Sequence, residues 1–309
     1  MCRGIVDASS NVPAKMRFRI AFPRHATSFT YASTKARNGT MTHTIGCTTR
    51  PYSTLSFAEA CTRIAAAGYT DVAVFRNEGA MPVDSASTPA QIKAARAAAA
   101  GAGLAPSMII GRTQLNLGLA EAVDDYRRMI DNSAALGARW LLDCGVGNAA
   151  LYEDYLELMR QCAPHAQAAG VAITMKPHGG ISLTTADLLR AHRAVAHPAF
   201  GICYDPGNII YYTKGERRPE EDVVEAVPVS TVFIVKDCVV QDDTADVNVT
   251  AGDGLVDFPT VLGAFATGGF CGPLYVECVG SKEPAAVDRD IAFTLGYVKG
   301  ILASAQPCA

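Results

Sequence analysis

Five polar side chains stand just after short apolar runs of the chain, and their types suit proton transfer and the binding of cations or carbonyl groups. They are Lys176, His178, Asp205, Lys236 and Glu277. A carboxylate or an imidazole can move a proton, an ammonium can polarise a carbonyl oxygen, and oxygen ligands with one imidazole can hold a divalent metal. One such residue alone would be an ordinary loop charge. Together they indicate a shared site, because apolar strands have no packing reason to end in Lys, Asp, Lys and Glu.

The elements that must position these residues alternate between apolar runs and helical patterns from residue 43 onwards. The predicted strands cover residues 44–47, 71–75, 105–110, 140–144, 171–176, 201–204, 231–236 and 274–277. The predicted helices cover residues 56–67, 89–102, 119–136, 151–169, 185–194, 220–226, 258–266 and 285–302. The strands are continuous apolar runs, which is typical of a parallel sheet covered on both faces. Eight such repeats predict a single α/β domain, a (β/α)8 TIM barrel, over residues 41–309.

In a barrel of this type the active site lies at the C-terminal ends of the strands, which is where the five residues fall. The ends of the first two strands add Arg50 and Arg76, and these guanidinium groups favour an anionic substrate. The turn Cys47-Thr-Thr-Arg-Pro51 lacks the glycine pattern of a dinucleotide-binding fold. An open doubly wound sheet and a nucleotide cofactor are therefore not expected.

Composition narrows the classes of partner. The chain has 309 residues, 49% of them hydrophobic, which is enough for one large core, and no apolar run reaches the length of a membrane span. Residues 1–40 carry seven Lys or Arg and one acid, so 20 basic and 29 acidic residues remain, a balance of −9 for the body of the chain. An acidic body argues against a nucleic-acid partner.

The ten cysteines are scattered without a CxxC pair, which predicts free, mostly buried thiols in a reducing compartment.

Residues 1–40 are basic, rich in Ser and Thr, and lack the apolar segment of a secretory signal. They are predicted to be a poorly ordered extension outside the fold. Two origins stay open, an organelle transit peptide and a segment upstream of a true start at Met41. A cytoplasmic location is the prediction if the segment is not a transit peptide.

Four segments resemble the xylose-isomerase-like barrel family of sugar isomerases and epimerases, which also contains apurinic endonucleases. They are Tyr204-Asp-Pro-Gly-Asn208, Val235-Lys-Asp237, Ala251-Gly-Asp-Gly-Leu-Val-Asp-Phe258 and Gly269-Phe-Cys-Gly-Pro-Leu-Tyr-Val-Glu277. The last two form a recurring block, in which a Gly-x-Gly loop and an Asp-Phe helix start precede a strand that ends in Glu. The resemblance covers about residues 43–302 and implies the same barrel fold.

The resemblance implies one divalent metal, bound by Glu, Asp, His and Glu from the fifth to the eighth strand. Asp205 and Glu277 match the second and fourth of these positions. Lys176 stands at the first position and Ile234 at the third, while Asn208 stands where the family has a further His that contacts substrate. An ammonium cannot ligate a metal while it is protonated, and it brings its own positive charge.

Two interpretations of this site stay open. In the first, His178 replaces a missing ligand, and His178, Asp205 and Glu277 bind Mn2+, Mg2+ or Zn2+. In the second, the site is metal-free and Lys176 pairs with the two carboxylates. The first is slightly favoured on family grounds.

The resemblance implies an enzyme that isomerises or epimerises a keto sugar by removing a proton next to its carbonyl. Glu277 is predicted to be the base, Lys176 or a metal to polarise the carbonyl, and His178 to carry the second proton. The residues predicted to bind the substrate are Arg50, Arg76, Asn208 and Lys236. One alternative is a lyase or decarboxylase that uses Lys176 as a Schiff-base amine, and another is a non-catalytic sugar-binding barrel. A nuclease is disfavoured because the basic face is missing, and a homo-oligomer would be in keeping with the family.

Overall fold

The computed structural model describes residues 43–305, and a closed barrel of parallel strands dominates this part of the chain. The strands are β1 Ile45–Thr48, β2 Asp71–Val74, β3 Ala105–Ile110, β4 Trp140–Asp143, β5 Ala172–Met175, β6 Phe200–Tyr204, β7 Ser230–Val235, β8 Val239–Gln241, β9 Thr244–Asp246 and β10 Leu274–Val276. Around the barrel the order is β1-β10-β7-β6-β5-β4-β3-β2, and β8 pairs with β9 as a separate antiparallel hairpin. The predicted (β/α)8 TIM barrel is confirmed.

Helices connect the barrel strands and surround them. They are α1 Phe57–Ala66, α2 Pro89–Gly101, α3 Leu119–Leu136, α4 Tyr152–Ala168, α5 Thr185–Val195, α6 Pro206–Tyr212, α7 Val223–Ala226, α8 Phe258–Thr267 and α9 Pro284–Ser304. Ser56, Thr88 and Thr184 begin α1, α2 and α5 with reciprocal side-chain and backbone hydrogen bonds. Such capping boxes satisfy amide groups that the first turn of a helix leaves without partners. Thr184 is the N-cap of α5, and Thr185 is the first residue of the helix.

Apolar side chains fill the barrel interior below the candidate site. A buried cluster of inward-facing strand residues includes Met108, Trp140, Leu142, Ile234 and Tyr275. Outside the barrel, two larger clusters pack the other faces of the strands against the helices. The two-sided burial explains why the strands are continuous apolar runs. The interior is therefore a packed core that supports the polar layer above it.

The structure differs from the prediction in three places after the sixth and seventh strands. The segment Pro206–Tyr212 is a helix, although no element was predicted between residues 204 and 220. The Asp205 side chain accepts a hydrogen bond from the Asn208 amide, so it caps this helix, and Pro206 stands at a position where a missing N–H costs nothing. The hairpin of β8 and β9 was also not predicted, and the helix predicted for residues 220–226 is only the short Val223–Ala226.

The cysteine prediction is confirmed for the thiols that the structure describes. The eight cysteines within residues 43–305 form no disulfide with one another. Six of them are buried, Cys144 is partly exposed and Cys271 is exposed. Cys2, Cys308 and the whole of the extension predicted at residues 1–40 lie outside the described residues. Within those residues, no helix has both the length and the apolar character needed to cross a membrane.

Candidate active site

Four neighbouring strands carry the charged cluster at their C-terminal ends. Lys176 follows β5, Asp205 follows β6, Lys236 follows β7 and Glu277 follows β10, and these strands are consecutive around the barrel. Val235 and Val276 are register partners, so Lys236 and Glu277 leave the sheet at the same level. The position of these four side chains is therefore a direct consequence of strand order and register.

Each lysine of the cluster contacts both carboxylates. Lys176 Nζ lies 2.9 Å from Asp205 Oδ2 and 2.7 Å from Glu277 Oε2. Lys236 Nζ lies 3.1 Å from the same Asp205 oxygen and 2.6 Å from Glu277 Oε1. It also donates to Asn208 Oδ1 at 3.1 Å, which uses all three of its N–H groups, whereas Lys176 keeps one.

Burial and opposite charge act against each other on the ionisable groups of this cluster. Burial by itself would lower the pKa of Lys176, but the charges of Asp205 and Glu277 outweigh it and raise that pKa well above its ordinary value. Burial would raise the pKa of Glu277, but Lys176, Lys236 and Arg50 outweigh it and hold that pKa well below its ordinary value. Lys176 and Glu277 are therefore charged at neutral pH. Burying charges costs several kcal/mol per ion, so a cluster of this kind indicates a functional site better than it indicates stability.

Asn208 supports the cluster from α6. Its amide donates to the Pro177 carbonyl at 2.7 Å, and its Oδ1 accepts from Lys236. It is 3% exposed. Asn208 thus joins the segment after β5 to the end of β7. Neither Asn208 nor Lys236 is among the residues that line the cavity described next, and their predicted contacts with a substrate stay a prediction.

A cavity of about 310 Å³ opens above the cluster. Its lining includes Arg50, Lys176, His178 and Glu277, together with Ser53, Phe75, Arg76 and Ile110. Arg50 NH1 lies 2.8 Å from Glu277 Oε1, and the arginine side chain is 43% exposed, so it holds the carboxylate and still faces the cavity. Phe75, Ser53 and Ile110 were not singled out in the sequence, since apolar and hydroxyl side chains at strand ends carry no distinctive chemical signal.

His178 lies at the edge of this cavity on a tight turn. Its amide donates to the Ser182 carbonyl at 2.7 Å, and Gly179 and Gly180 both have positive φ. A side chain at Gly180 would also collide with the backbone of Val146 and Gly147, so glycine is needed there. The imidazole packs against Tyr212 with a centroid separation of 5.3 Å.

The environment of His178 keeps its ring neutral. Although the residue is partly open to solvent at the cavity mouth, desolvation by the surrounding protein is the larger cause, and the charges of Lys176 and Lys236 add to it; together they lower the pKa to about 4. The ring nitrogens have no hydrogen-bond partner within residues 43–305. A neutral imidazole at neutral pH is suited to accept a proton.

The predicted metal set of His178, Asp205 and Glu277 is not assembled. Within residues 43–305 no group of three or more His, Cys, Asp or Glu side chains is arranged to hold a metal ion. The physical reason lies chiefly in Lys176, whose ammonium stands between the two carboxylates at the position where the family resemblance implied a Glu ligand, while Lys236 also contacts both carboxylates. The residues present therefore do not fit a divalent metal, and Lys176 pairs with both carboxylates as the second interpretation expected.

Asp237 shapes the loop beside the site. Its Oδ1 accepts from the amides of Cys238 and Val256, and its Oδ2 accepts from the amides of Gly252 and Gly254. A side chain at Gly254 would collide with this carboxylate. The family-like segment 251–258 is thus held around one buried charge, and Asp237 is a positioning residue.

An Asp237→Asn variant is expected to lose about 3 kcal/mol of unfolding free energy, because either orientation of the amide sets an NH2 group against two of the four backbone N–H donors that the carboxylate accepts from. Urea denaturation measures this loss. Asp253→Asn is the matched control, since Asp253 lies in the same loop and is exposed. Equal stability of the two variants would show that the loop does not depend on the Asp237 charge.

The closed barrel and its polar layer define the class of protein, a (β/α)8 barrel with its candidate site at the face where barrel enzymes have theirs. Within that class the chain belongs to the xylose isomerase-like TIM barrel family, whose sequence pattern matches residues 61–296. No protein with a curated description matches the sequence.

Solved structures of the same fold are distant in sequence. A xylose isomerase-like TIM barrel protein from Mycobacterium smegmatis in complex with magnesium has a TM-score of 0.69 and 17% identity, covering 84% of this chain and 98% of that one. A D-psicose 3-epimerase from Clostridium cellulolyticum H10 with D-tagatose has a TM-score of 0.68 and 13% identity, covering 84% and 99%. A xylose isomerase domain protein from Planctomyces limnophilus has a TM-score of 0.64 and 22% identity, covering 79% and 92%. At these identities the likeness shows the fold alone.

Proposed function

We propose that this barrel is an enzyme that isomerises a sugar by moving a proton between its carbonyl carbon and the carbon beside it. The observation that carries the proposal is the wall of the small cavity. One neutral imidazole, His178, stands there beside two cations, Arg50 and Lys176, and one carboxylate, Glu277. A base beside fixed positive charges is what removal of a proton next to a carbonyl requires.

In the proposed reaction His178 removes the proton from the carbon next to the carbonyl and becomes an imidazolium. The electron pair of the broken C–H bond moves onto the carbonyl oxygen, where Arg50 and the remaining N–H of Lys176 stabilise the negative charge. The imidazolium then gives the proton to the carbon that originally carried the carbonyl group. Glu277 carries the hydroxyl proton between the two oxygens, so no proton is gained or lost overall.

This assignment changes the role predicted for Glu277. Three cations hold its pKa low, which makes the carboxylate a weak base. The pKa of His178 is about 4, so its ring is neutral over the physiological range and is the better base of the two. Epimerisation is the second candidate, but it requires a base on one face of the substrate and a protonated group on the other. With His178 neutral and Glu277 anionic, both groups are bases, which favours isomerisation.

A keto or aldo sugar with an acidic group is the proposed substrate class. Arg76 lines the cavity beside Arg50, and two guanidinium groups are suited to a carboxylate or a phosphate. Two solved structures of the same fold are named D-psicose 3-epimerase and L-ribulose 3-epimerase, which supports a ketose.

A Schiff-base lyase that uses Lys176 is less well supported. Formation of a Schiff base needs the free amine, and the raised pKa keeps Lys176 as an ammonium. Borohydride trapping in the presence of a keto sugar separates the two mechanisms, because only the lyase would leave a reduced adduct on Lys176.

The proposal is tested by hydrogen exchange from heavy water. Ketoses and aldoses, each with and without a terminal phosphate or carboxylate, are incubated with the protein in D2O, and deuterium next to the carbonyl is followed by NMR. A His178→Gln variant is expected to exchange at least about a hundredfold more slowly, because the ring is the base. His165→Gln is the matched control, since His165 lies on the outer helix α4, where it pairs with Asp131.

The pH profile adds a second readout. The active base is the neutral imidazole, so the exchange rate is expected to stay level from about pH 8 to pH 5 and to fall as pH drops through a pKa of about 4. If no sugar of the panel exchanges deuterium while one still binds, the barrel is a sugar-binding protein. If deuterium appears with inverted configuration at the exchanging carbon, the enzyme is an epimerase.

A further inference from the structure

A second, larger cavity adjoins the candidate site on the side of β2 and β3. Its volume is about 620 Å³, against about 310 Å³ for the small cavity. Phe75, Arg76 and Ile110 line both cavities. A molecule whose carbonyl lies beside Lys176 can therefore extend past these three side chains without leaving the protein surface.

Hydrogen bonds across its wall hold the larger cavity in shape. Asp125 of α3 accepts from Ser85 at 2.7 Å and from Gln114 at 2.7 Å, which ties the segments after β2 and β3 to that helix. Asn132 donates to the Asp84 carbonyl at 2.7 Å. Since Arg128 also pairs with Asp125, its carboxylate is neutralised within the wall. The cavity is thus formed in advance, as small-molecule sites usually are.

The lining combines an apolar surface with two cations that lack carboxylate partners. Phe75, Met81, Ile110 and Met129 supply aromatic, thioether and aliphatic surface. Arg76 donates to the Gly79 carbonyl at 2.8 Å, and Arg112 makes only a 3.4 Å contact with the Gln114 side chain. Neither guanidinium pairs with a carboxylate of residues 43–305, so both retain donors for an anion.

The geometry points to a substrate that is longer than a simple sugar. The larger cavity takes a substituent on the sugar, attached at the end remote from the carbonyl, which is partly apolar and ends in an acidic group. This inference rests on the proposed function for the placement of the carbonyl. It adds the substrate class, because a monosaccharide confined to the small cavity would leave the preformed apolar wall and Arg112 without a role.

The test compares three ligands that share one ketohexose: the free sugar, its terminal O-benzyl ether and its terminal O-(para-carboxybenzyl) ether. Isothermal titration calorimetry gives the dissociation constant of each. The benzyl ether is expected to bind about tenfold more tightly than the free sugar, because its ring is buried against Phe75 and Met129. The carboxylate is expected to add about another fivefold, and Arg112→Met should remove only that second gain.

Blocking variants separate this cavity from the candidate site. Ala86→Trp fills the larger cavity and should abolish the gain of both ethers while leaving the free sugar unchanged. Ala97→Trp is the matched control, since Ala97 is exposed on α2 and lines neither cavity. Ethers that bind no better than the free sugar, or that keep their advantage in Ala86→Trp, would overturn the inference. If the proposed function alone is wrong, no ligand exchanges deuterium, yet the gain in affinity and its loss in Ala86→Trp persist.

Discussion

Replacement of Lys176 by methionine is expected to slow deuterium exchange about a thousandfold and to lower the free energy of unfolding by about 3 kcal/mol. The rate falls because the ammonium with a remaining N–H, which stabilises the enediolate, is removed. The stability falls because Asp205 and Glu277 stay buried with one fewer cation between them. Heavy-water NMR measures the rate, and urea denaturation at neutral pH measures the stability.

Two further lysines make this prediction specific. Lys236→Met should cost a similar amount of stability but slow exchange only about tenfold, because Lys236 contacts the same carboxylates without facing the cavity. Lys93→Met on the exposed side of α2 should change neither quantity. If Lys176→Met lost activity without losing stability, the buried ion pairs could not have the geometry described.

The difference in unfolding free energy between Lys176→Met and the wild type should also become smaller as pH falls. In the native cluster the pKa of Glu277 is held below its ordinary value, so its ion pairs stabilise the fold above the unfolded pKa and lose that effect as pH falls through the folded one. Without Lys176 the same carboxylate is less stabilised and takes up a proton at higher pH. The gap between Lys176→Met and the wild type should therefore narrow as pH falls below about 5, toward the depressed pKa of Glu277 in the wild type.

Strand periodicity accounts for most of what could be predicted about the fold. Each barrel strand is a continuous apolar run with a polar residue at its end. That pattern alone predicts that Lys176, Asp205, Lys236 and Glu277 lie at one face of the barrel. Helix α6 could not be recognised, because Pro206 and Gly207 are turn residues by propensity. The helix forms because Asp205 caps it and because its residues from Pro206 to Ile210 are buried.

The pairing within the site was beyond the sequence for a different reason. Spacing gives the level at which Lys176 and Lys236 leave the barrel, but not that each reaches both carboxylates. The sequence also could not predict which residues face the cavity. Arg50, Lys176, His178 and Glu277 line it, whereas Asn208 and Lys236 stand behind its wall. The atoms that a side chain contacts depend on packing in three dimensions, whereas the sequence pattern predicts only the order of the strands.

The lysines also explain how this chain departs from the metal site that its family resemblance implied. A metal site of that kind needs a carboxylate where Lys176 stands and an imidazole where Ile234 stands. Ile234 lies in the apolar layer directly below the polar cluster, two residues before Lys236 on β7. Two substitutions would thus restore the donor set. They allow the incompatibility with metal to be tested by creating a metal site instead of by removing one.

A Lys176→Glu, Ile234→His double variant is expected to bind Mn2+ where the wild type does not. The variant exchanges one cation for oxygen and imidazole ligands, which together with Asp205 and Glu277 suit this ion. In millimolar MnCl2 its Tm should rise by about 5 °C or more and return when EDTA is added, while the Tm of the wild type should not move. Elemental analysis should find close to one Mn2+ per chain in the variant alone.

Ile234→His by itself is the matched control and should gain nothing, because Lys176 still stands between the carboxylates. Stoichiometric metal in the wild type that is lost in Asp205→Ala would show instead that the lysines yield to a cation, and the metal-free account of this site would be wrong.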